Sequence, residues 1–397
     1  MAKKKTVLVC PMDWGLGHAS RCIPVIKAFR HEGCHVIVGA SGAGADFISS
    51  ELKTAAPELL PFPGFSVSYS RSFLFARLLL QVPQFLYHVA REKKLLEKIV
   101  DKLKPDLIVS DNRYGLVHDS VPSVLITHQI KPSLPFLLKP LEDPLSAVIR
   151  KWAMSFDECW IPDFQDFPAA GDLVSGWDRL PRAFFIGWLS RFRPGAGIIH
   201  SKSPGHHSAA AQGGGGQPGE DGVFCRPSGR KDNPYRMIFI LSGQEPLRGM
   251  LEGKIIEGCL KSGIKALLVR GLPGIPANTE ISGNLEIVNF LDSAEMHEAI
   301  CKSQLVVCRS GYSSVMDMLA LGKRAVLIPT PGQTEQEYLG EWLGSRGLFH
   351  VVRQKDFDVA AISGTMGLAE QDPGFPVYPA GRDRLMERVQ AVTGSLL

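Results

Sequence analysis

Strand-like apolar runs alternate with helix-like segments along both halves of this chain. In the first half we expect strands at 6–12, 35–40, 106–110 and 123–127, with helices at 19–31 and 91–103. In the second half we expect strands at 237–241, 265–269, 286–290, 304–308 and 324–329, with helices at 250–262, 294–302, 312–321 and 335–345. Because parallel strands need crossover connections, this alternation predicts an α/β fold with parallel sheets covered on both faces.

The two halves are separated by a segment of different composition. Residues 194–234 contain runs of glycine and alanine and almost no large apolar side chains, so burial cannot offset their ordering entropy. We therefore predict a disordered linker at 194–234 between an N-terminal domain at 1–193 and a C-terminal domain at 235–370. Residues 371–397 are expected to form a tail with a closing helix. A cleft between two doubly wound domains is the expected ligand site.

Charge and cysteine usage limit the expected partners and location. The net charge of +4 is small for 397 residues, so no nucleic-acid partner is indicated. The eight cysteines include no Cys-x-x-Cys pair and no histidine at metal-ligand spacing, so no metal site is predicted. This cysteine usage fits a reducing cytoplasm. The sequence lacks a run of eighteen apolar residues that would predict a membrane-spanning helix.

Residues 73–89 allow two interpretations, one of which involves a membrane surface. They combine phenylalanine, leucine and tyrosine with neighbouring arginine and lysine. We favour a helix hairpin that is broken near Pro83 and packs on its own domain. The alternative is an amphipathic helix in a membrane interface, which would place the protein at the inner face of a membrane.

The segment from Cys308 to Asp317 carries the most specific chemistry. An apolar strand ends at Cys308, a turn follows at Ser310 and Gly311, and a helix is expected to end before Gly322. A helix start after a strand points free N–H groups and the positive end of the helix dipole at one place, which favours an anion. Asp317 lies about 9 Å further along the helix. This is about the span from a diphosphate to the ribose of the same nucleotide, whose hydroxyls a carboxylate can bind.

The loop at 13–18 places His18 at the start of the first helix. Gly15 and Gly17 suggest a dinucleotide fingerprint, but Ser20 stands where its third glycine belongs and no lysine follows to make a P-loop. A helix N-terminus disfavours the cationic imidazole, so His18 is expected to be able to accept a proton. A structural histidine is the alternative.

Three further strand ends carry small or polar residues. Residues 242–244 could hold a phosphate, and residues 290–292 could seat a flat base. Residues 331–336 start a helix with amides and a carboxylate that could reach sugar hydroxyls, or they form a plain capped turn. Because the carboxyl ends of parallel strands lie along one edge of a sheet, we expect these loops to meet at one site.

These motifs resemble glycosyltransferase family 28, which includes the peptidoglycan UDP-N-acetylglucosamine transferases. The resemblance is strongest over 236–350 and weaker but collinear in the first half. In the second half it rests on Asn289-Phe290-Leu291-Asp292 with Met296, on Arg309-Ser310-Gly311-Tyr312-Ser313-Ser314 with Asp317, and on Gly322-Lys323 through Pro329 with Gln336. In the first half it rests on Gly15-Leu16-Gly17-His18, Asp111-Asn112-Arg113-Tyr114-Gly115, His128-Gln129 and Ile186-Gly187-Trp188.

The resemblance implies a GT-B fold, with two Rossmann-like domains facing a cleft. The acceptor would bind the N-terminal domain and a nucleotide-diphosphate sugar the C-terminal domain. Phe290 and Leu291 would frame the base, Asp317 would hold the ribose and Gln336 the sugar. The other donor-side residues it implies are Arg191, Ser242, Gly243, Gln244, Arg309, Ser310, Gly311, Tyr312, Ser313 and Gln333. The acceptor-side residues it implies are Gly15, Gly17, Asn112, Arg113, Tyr114 and His128.

Three features depart from the family's pattern. The N-terminal loop at 13–18 lacks the family's fuller glycine run. Asp317 stands where the family usually has a glutamate, and Leu339 stands where an asparagine is expected. The departures bear on the identity of the donor and the acceptor more than on the fold.

The leading hypothesis is a metal-independent hexosyltransferase that uses a nucleotide-diphosphate sugar, a UDP-sugar, as donor. It would move a hexose or N-acetylhexosamine to the hydroxyl of a sugar or lipid-linked acceptor. His18, or a neighbouring acid such as Asp111, would deprotonate that hydroxyl, and the helix after Gly311 would stabilise the leaving diphosphate. No further cofactor is expected. Two alternatives stay open: a nucleotide-sugar hydrolase or epimerase, since residues 15–21 also resemble sugar-nucleotide hydrolases, and a non-catalytic nucleotide-binding protein.

Overall fold

The computed structural model describes residues 4–53, 56–62, 74–192, 235–275, 278–364 and 381–396. The first sheet within these ranges has seven parallel strands in the order β3-β2-β1-β4-β5-β6-β7. Its strands are β1 Thr6–Pro11, β2 His35–Gly39, β3 Glu58–Leu60, β4 Leu107–Asp111, β5 Ser123–Ile126, β6 Glu158–Ile161 and β7 Ala183–Phe185. The helices that accompany it are α1 Leu16–His31, α2 Gly42–Glu51, α3 Leu74–Leu103 and α4 Glu142–Ala153.

The second sheet has the order β10-β11-β9-β8-β12-β13-β14, in which β10 alone runs antiparallel to its neighbour. Its strands are β8 Tyr235–Ile240, β9 Ala266–Val269, β10 Thr279–Ser282, β11 Leu285–Val288, β12 Ser303–Cys308, β13 Ala325–Leu327 and β14 His350–Val351. The helices that follow β8 in the chain are α5 Leu247–Ser262, α6 Ser293–Cys301, α7 Tyr312–Ala320, α8 Thr334–Ser345, α9 Val359–Ser363 and α10 Gly381–Ser395.

Both faces of the first sheet are buried, as the sequence predicts for a doubly wound domain. Val7 and Val9 of β1 belong to one apolar cluster, whereas Leu8 and Cys10, which point to the opposite face, belong to another. The strand order of this sheet reverses at β1 and β4, and that of the second sheet reverses at β8 and β12. Crevices at such reversals are the usual ligand sites of open α/β sheets.

The two domains share packing in two places. One apolar cluster contains side chains of both, including Phe164 and Trp188 from the first and Val315 and Leu339 from the second. The helix α10 returns to the first domain, where Leu385, Val389 and Val392 are part of the core and Arg388 pairs with Glu158. The predicted fold class, two Rossmann-like α/β domains, is therefore confirmed.

Two expectations need comment. The predicted break near Pro83 is wrong, because α3 continues through Pro83 as one helix of 30 residues. A proline costs a helix one N–H bond and some steric room, and a long helix can retain its remaining bonds on both sides. The predicted linker at 194–234 lies outside the described residues. In the described part of the chain, no helix combines the length and the apolar character that crossing a membrane requires.

Candidate functional site

Three helices begin at the interface between the two domains. The helix α1 starts after Gly15, whose φ of +76° glycine adopts without strain, and α7 starts after Gly311. The two starts touch, since Ser313 Oγ donates to the carbonyl of Gly17 at 2.8 Å. The start of α8 is joined to the same place, because Ser310 Oγ donates to the carbonyl of Gln336 at 2.7 Å. Helix N-termini carry partial positive charge, so their convergence favours an anion here.

The structure brings the two predicted catalytic residues together. His18, in the first turn of α1, has its Nδ1 2.9 Å from Oδ2 of Asp111 at the end of β4. The His18 side chain is 12% exposed, whereas Asp111 is fully buried. Arg21, one turn further along α1, donates from Nε to both Asp111 oxygens at 2.9 Å and from Nη2 to Oδ1.

The His18 ring has two alternative hydrogen-bond patterns. Its Nδ1 also lies 2.7 Å from Nη2 of Arg21. A guanidinium can only donate and a neutral imidazole nitrogen either donates or accepts. A proton on Nδ1 goes to Asp111 and leaves Nε2 able to accept a proton. A proton on Nε2 leaves Nδ1 to accept from Arg21, which gives Nε2 the opposite role.

Burial and neighbouring charges set the protonation of this pair. Burial lowers the pKa of His18, Arg21 lowers it further, and Asp111 opposes both in part. Burial alone would raise the pKa of Asp111, but Arg21 and His18 outweigh it and hold that pKa at about 2. An ionised carboxylate thus lies beside a neutral imidazole at neutral pH, which is the combination a histidine base requires.

His128, predicted on the acceptor side, instead links the two domains. Nη1 of Arg21 lies 2.9 Å from its Nδ1, and Oε1 of Glu335 on α8 lies 3.0 Å from its Nε2. Its ring stacks on Tyr312 with the centroids 3.9 Å apart, and the Tyr312 hydroxyl donates to the carbonyl of Pro162. Both ring nitrogens of His128 are therefore engaged within the protein, and its expected contact with the acceptor stays a prediction.

Asp317 is buried on α7 under residues of the first domain. Ser190 Oγ donates to its Oδ1 at 2.6 Å, and Arg191 Nε lies 3.5 Å from its Oδ2. Arg191 also lies 3.6 Å from Glu51 Oε1. Burial raises the pKa of Asp317 to about 6, against the opposing effects of Arg191 and Ser190. Arg191 thus contacts the carboxylate predicted for the ribose, which lies along α7 from the predicted diphosphate position.

Phe290 and Leu291 lie at the domain interface. The Phe290 ring packs edge-on against Phe47 of α2, with the centroids 5.7 Å apart. The guanidinium of Arg191 lies over the other side chain of this pair, 5.6 Å from the Phe47 centroid. Leu291 packs against the apolar cluster that the two domains share. A nucleobase on Phe290 would take the place that Phe47 occupies in this structure.

The loops after β8 and β13 meet beside the start of α7. Oε1 of Gln336 accepts the backbone N–H of Thr330 at 2.9 Å. Gly243, which lies between Ser242 and Gln244, has a φ of +100° and packs beside Thr330. The Thr330 hydroxyl is buried and makes no hydrogen bond to any residue that the structure describes. Thr330 is thus a buried polar residue beside the start of α7 that the sequence motifs do not reveal.

Arg309 lies beneath the cleft and does not face it. Its Nη1 donates to Oε1 of Gln354 at 2.8 Å and its Nη2 to the carbonyl of Leu247 at 3.1 Å. Burial lowers its pKa to about 10, so the side chain stays cationic. Arg309 thus lies below the turn at Ser310, and its direct contact with the donor stays a prediction. Gln333 is the half-buried N-cap residue of α8.

Of the three residues that follow β4, two contact helices and the third, Asn112, lies at the strand end. Arg113 donates to the carbonyl of Pro11 at 2.8 Å and to Glu92 of α3 at 2.9 Å. The Tyr114 ring lies 5.4 Å from the ring of Trp152 on α4. Asn112 has a φ of +55° and a buried Oδ1 that accepts no hydrogen bond from the described residues. Arg113 and Tyr114 thus contact α3 and α4, and their expected contact with the acceptor stays a prediction.

Three residues of the site make contacts that the sequence motifs do not indicate. Arg21 follows His18 by three positions, a spacing that puts both on one helix face and could have indicated the contact. Ser190 and Glu335 reach their partners across the domain interface, which no local pattern indicates. Among the described residues, no three His, Cys, Asp or Glu side chains form a group that could hold a metal ion.

Comparison with known proteins supports the family resemblance. The family model described as "Glycosyltransferase family 28 C-terminal domain" matches residues 276–366. The UDP-N-acetylglucosamine--N-acetylmuramyl-(pentapeptide) pyrophosphoryl-undecaprenol N-acetylglucosamine transferase of Sulfurihydrogenibium sp. is 28% identical over 129 residues, which are 32% of this chain and 36% of that protein. An uncharacterized glycosyltransferase of Methanosarcina acetivorans is 25% identical over 346 residues, covering 81% of this chain and 77% of that protein.

A solved structure supports the fold over the whole chain. The crystal structure of the glycotransferase of kitacinnamycin superimposes with a TM-score of 0.57 at 14% identity, covering 99% of this chain and 97% of that one. At this identity the likeness bears on the fold alone. The chain is thus a GT-B protein whose C-terminal domain resembles that of glycosyltransferase family 28, as its motifs indicated.

Proposed function

We propose that this protein is a glycosyltransferase that moves a hexose or N-acetylhexosamine from a UDP-sugar to an acceptor hydroxyl. The observation that carries the proposal is the His18–Asp111 contact of 2.9 Å at the very place where α1 touches the start of α7. A base and an anion-binding helix start are thus adjacent across the cleft. The family match of the C-terminal domain supports the same reaction class.

The donor is proposed to bind along α7. The N–H groups at the start of this helix have no partner within it and would hold the diphosphate. Asp317 would accept the ribose hydroxyls in place of Ser190, and the base would lie on Phe290 in place of Phe47. Gln336 would contact the sugar. These replacements require the two domains to separate before the donor binds and to close again around it.

The proposed reaction needs a base and a stabilised leaving group. The acceptor oxygen attacks the anomeric carbon, and the bond from that carbon to the diphosphate oxygen breaks with its electron pair going to the diphosphate. The acceptor proton goes to Nε2 of His18, and Asp111 stabilises the resulting imidazolium. The helix dipole of α7, with Arg309 below it, stabilises the negative charge without a metal ion.

Incubation with UDP-sugars tests the reaction class. We expect UDP release that depends on an added acceptor, with a mass increase of one hexose or N-acetylhexosamine on that acceptor. Mass spectrometry of the products and an assay for free UDP measure both. Steady release of free sugar and UDP without any acceptor would identify a nucleotide-sugar hydrolase instead. UDP binding without turnover under every condition would favour the non-catalytic alternative.

We further propose that the acceptor is lipid-linked and that the N-terminal domain approaches it at a membrane surface. Large apolar side chains of α3, of α4 and of the residues that flank α4 are between 37% and 67% exposed: Leu86, Tyr87, Leu141, Leu145, Val148 and Met154. Phe85 and Trp152 join the two helices, with their ring centroids 5.8 Å apart. Exposed basic side chains accompany this surface, namely Arg91, Lys93, Lys94, Lys139 and Lys151. Apolar and basic groups together suit an anionic lipid surface.

Vesicle sedimentation tests this surface. We expect the protein to pellet with vesicles that contain anionic phosphatidylglycerol, less so at high salt, and to stay in the supernatant with neutral phosphatidylcholine. The double variant Leu145→Ser/Val148→Ser should pellet several-fold less. Ile281→Ser, which changes an exposed side chain of β10 in the other domain, is the matched control. Equal pelleting of the double variant and the wild type would exclude this surface.

A further inference from the structure

A chain of hydrogen bonds crosses from the C-terminal domain to the proposed base. It runs from Glu335 through His128 and Arg21 to Asp111 and His18, over distances of 3.0, 2.9, 2.9 and 2.9 Å. Arg21 and His128 are 2% and 3% exposed, so water cannot readily replace these contacts. Glu335 is the member supplied by the C-terminal domain.

The proton of His128 is fixed by its two partners. A guanidinium can only donate, so the Nδ1 of His128 must accept from Arg21. Its Nε2 then carries the proton and donates to the Glu335 carboxylate, which can only accept. Both requirements are met by a single neutral form of His128. Without Glu335, the ring of His128 loses one of its two partners and can turn away from Arg21, so neither its form nor its hold on Arg21 remains fixed.

The position of Arg21 in turn decides what His18 can do. Its guanidinium uses one edge for Asp111 and the other for the two histidines. If the guanidinium is held on Asp111 and His128, then Nδ1 of His18 donates to Asp111 and its Nε2 accepts a proton. Because Nη2 of Arg21 already lies 2.7 Å from Nδ1 of His18, a guanidinium that is released from His128 can take this nitrogen as its acceptor, and the base is then lost.

We propose that Glu335 is a positioning residue that makes the base at His18 depend on closure of the two domains, acting through His128 and Arg21. The inference rests on the proposed role of His18 as the base. Opening the cleft withdraws Glu335, releases His128 and loosens Arg21. Closure around the donor restores the chain, so the base is formed when the anomeric carbon is in place. This would limit activation of water in the open protein.

The tautomers of His18 and His128 test the proposal without any turnover. In protein labelled with ¹⁵N at its eleven histidines, long-range ¹H–¹⁵N spectra distinguish the two neutral forms of each ring. Variants that lack His18 or His128 assign the signals. In the wild type with UDP we expect the proton on Nδ1 of His18 and on Nε2 of His128. In Glu335→Ala we expect both rings to become mixtures of the two forms.

Kinetics provide the second readout. Glu335→Ala should lower kcat by about 10- to 100-fold, the size that misplacement of a reacting group causes, with the KM for the donor unchanged. Glu335→Gln keeps the shape and one acceptor oxygen of the side chain. Its kcat should lie between those of the wild type and Glu335→Ala. Glu341→Ala, at an exposed glutamate of the same helix, is the matched control and should behave as wild type.

The outcomes separate the inference from the proposed function. Unchanged tautomers in Glu335→Ala, or an unchanged kcat, would overturn the role of Glu335 even if the wild type transfers sugar. Shifted tautomers in a protein without transferase activity would keep the hydrogen-bond chain and reject the reaction. Because the Glu335 side chain is 31% exposed, its removal is not expected to unfold the protein, and a melting curve checks this.

Discussion

Replacing His18 by alanine is expected to lower kcat for sugar transfer by about 10²- to 10⁴-fold, the usual contribution of a positioned base. The reason is that His18 is held against Asp111 where the two helix starts meet. The proposed mechanism has no other group that takes the proton of the acceptor hydroxyl. UDP binding should be unchanged, because the proposed contacts to UDP lie on the other domain. Initial rates with saturating donor and acceptor measure the effect.

His31→Ala is the control for this variant. His31 ends the same helix and its side chain is 66% exposed, so its loss should leave the rate unchanged. Asp111→Asn should lower kcat as well, since the amide no longer stabilises the imidazolium. A His18→Ala protein that retains more than a tenth of the wild-type rate would remove His18 from the mechanism.

The pH dependence of the rate tests whether the surroundings of His18 lower its pKa. A base acts when it is deprotonated, and burial together with Arg21 lowers the pKa of His18. The acidic limb of kcat/KM should therefore lie below about pH 6.5, the ordinary histidine value. Initial rates measured over the pH range in which the protein stays folded check this. An acidic limb above about pH 6.5 would contradict the prediction.

The second large effect concerns UDP and Asp317. At about 100 times its Kd, UDP should raise the free energy of unfolding of the wild type by about 2.7 kcal/mol. Asp317→Ala should lose most of this gain at the same UDP concentration, because the ribose hydroxyls lose their acceptor. Denaturant or thermal unfolding with and without UDP measures the difference between the two proteins.

Ser190→Ala is the matched control for Asp317. It removes the hydrogen bond that occupies Oδ1 of Asp317 but keeps the carboxylate, so UDP should stabilise it at least as well as the wild type. Because burial raises the pKa of Asp317 to about 6, the ionised carboxylate predominates above that pH. The gap between wild type and Asp317→Ala should thus shrink as the pH falls below 6. Equal stabilisation of both proteins at neutral pH would remove Asp317 from the site.

Much of the fold follows from local patterns in the sequence. The expected strand at 304–308 and helix at 312–321 correspond to β12 and α7, and Gly322, which follows the expected helix end, has a left-handed φ of +61°. Buried parallel strands read as continuous apolar runs, which makes them easy to detect. The strands β3 and β7 have only three residues each, which is too short for a periodic pattern to identify them as strands.

The candidate site was predictable where it depends on strand ends. His18 and Asp111 end up in contact because β1 and β4 are neighbours at the strand-order reversal, and the loops after β8 and β12 meet for the same reason. The family resemblance indicated the remaining residues of the site, but it did not indicate in which direction each side chain points. Arg309 and Arg113 show the difference, since both point into the body of their domain.

Contacts between the domains were beyond the reach of the sequence. Glu335 meets His128, Ser190 meets Asp317, and Phe47 meets Phe290, each across at least one hundred residues of chain. The strands and helices that carry them are specified locally, but the closure of one domain on the other is a property of the whole surface. Periodicity and motif spacing carry no information on that surface.

The proposed function depends on binding of the donor diphosphate at the start of α7, beside His18. A crystal structure of the protein with UDP shows whether the diphosphate binds there. We expect diphosphate oxygens about 2.7–3.2 Å from the backbone nitrogens of Tyr312 and Ser313, with the ribose hydroxyls on Asp317. UDP bound at another place, with the start of α7 still closed on Gly17, would contradict it.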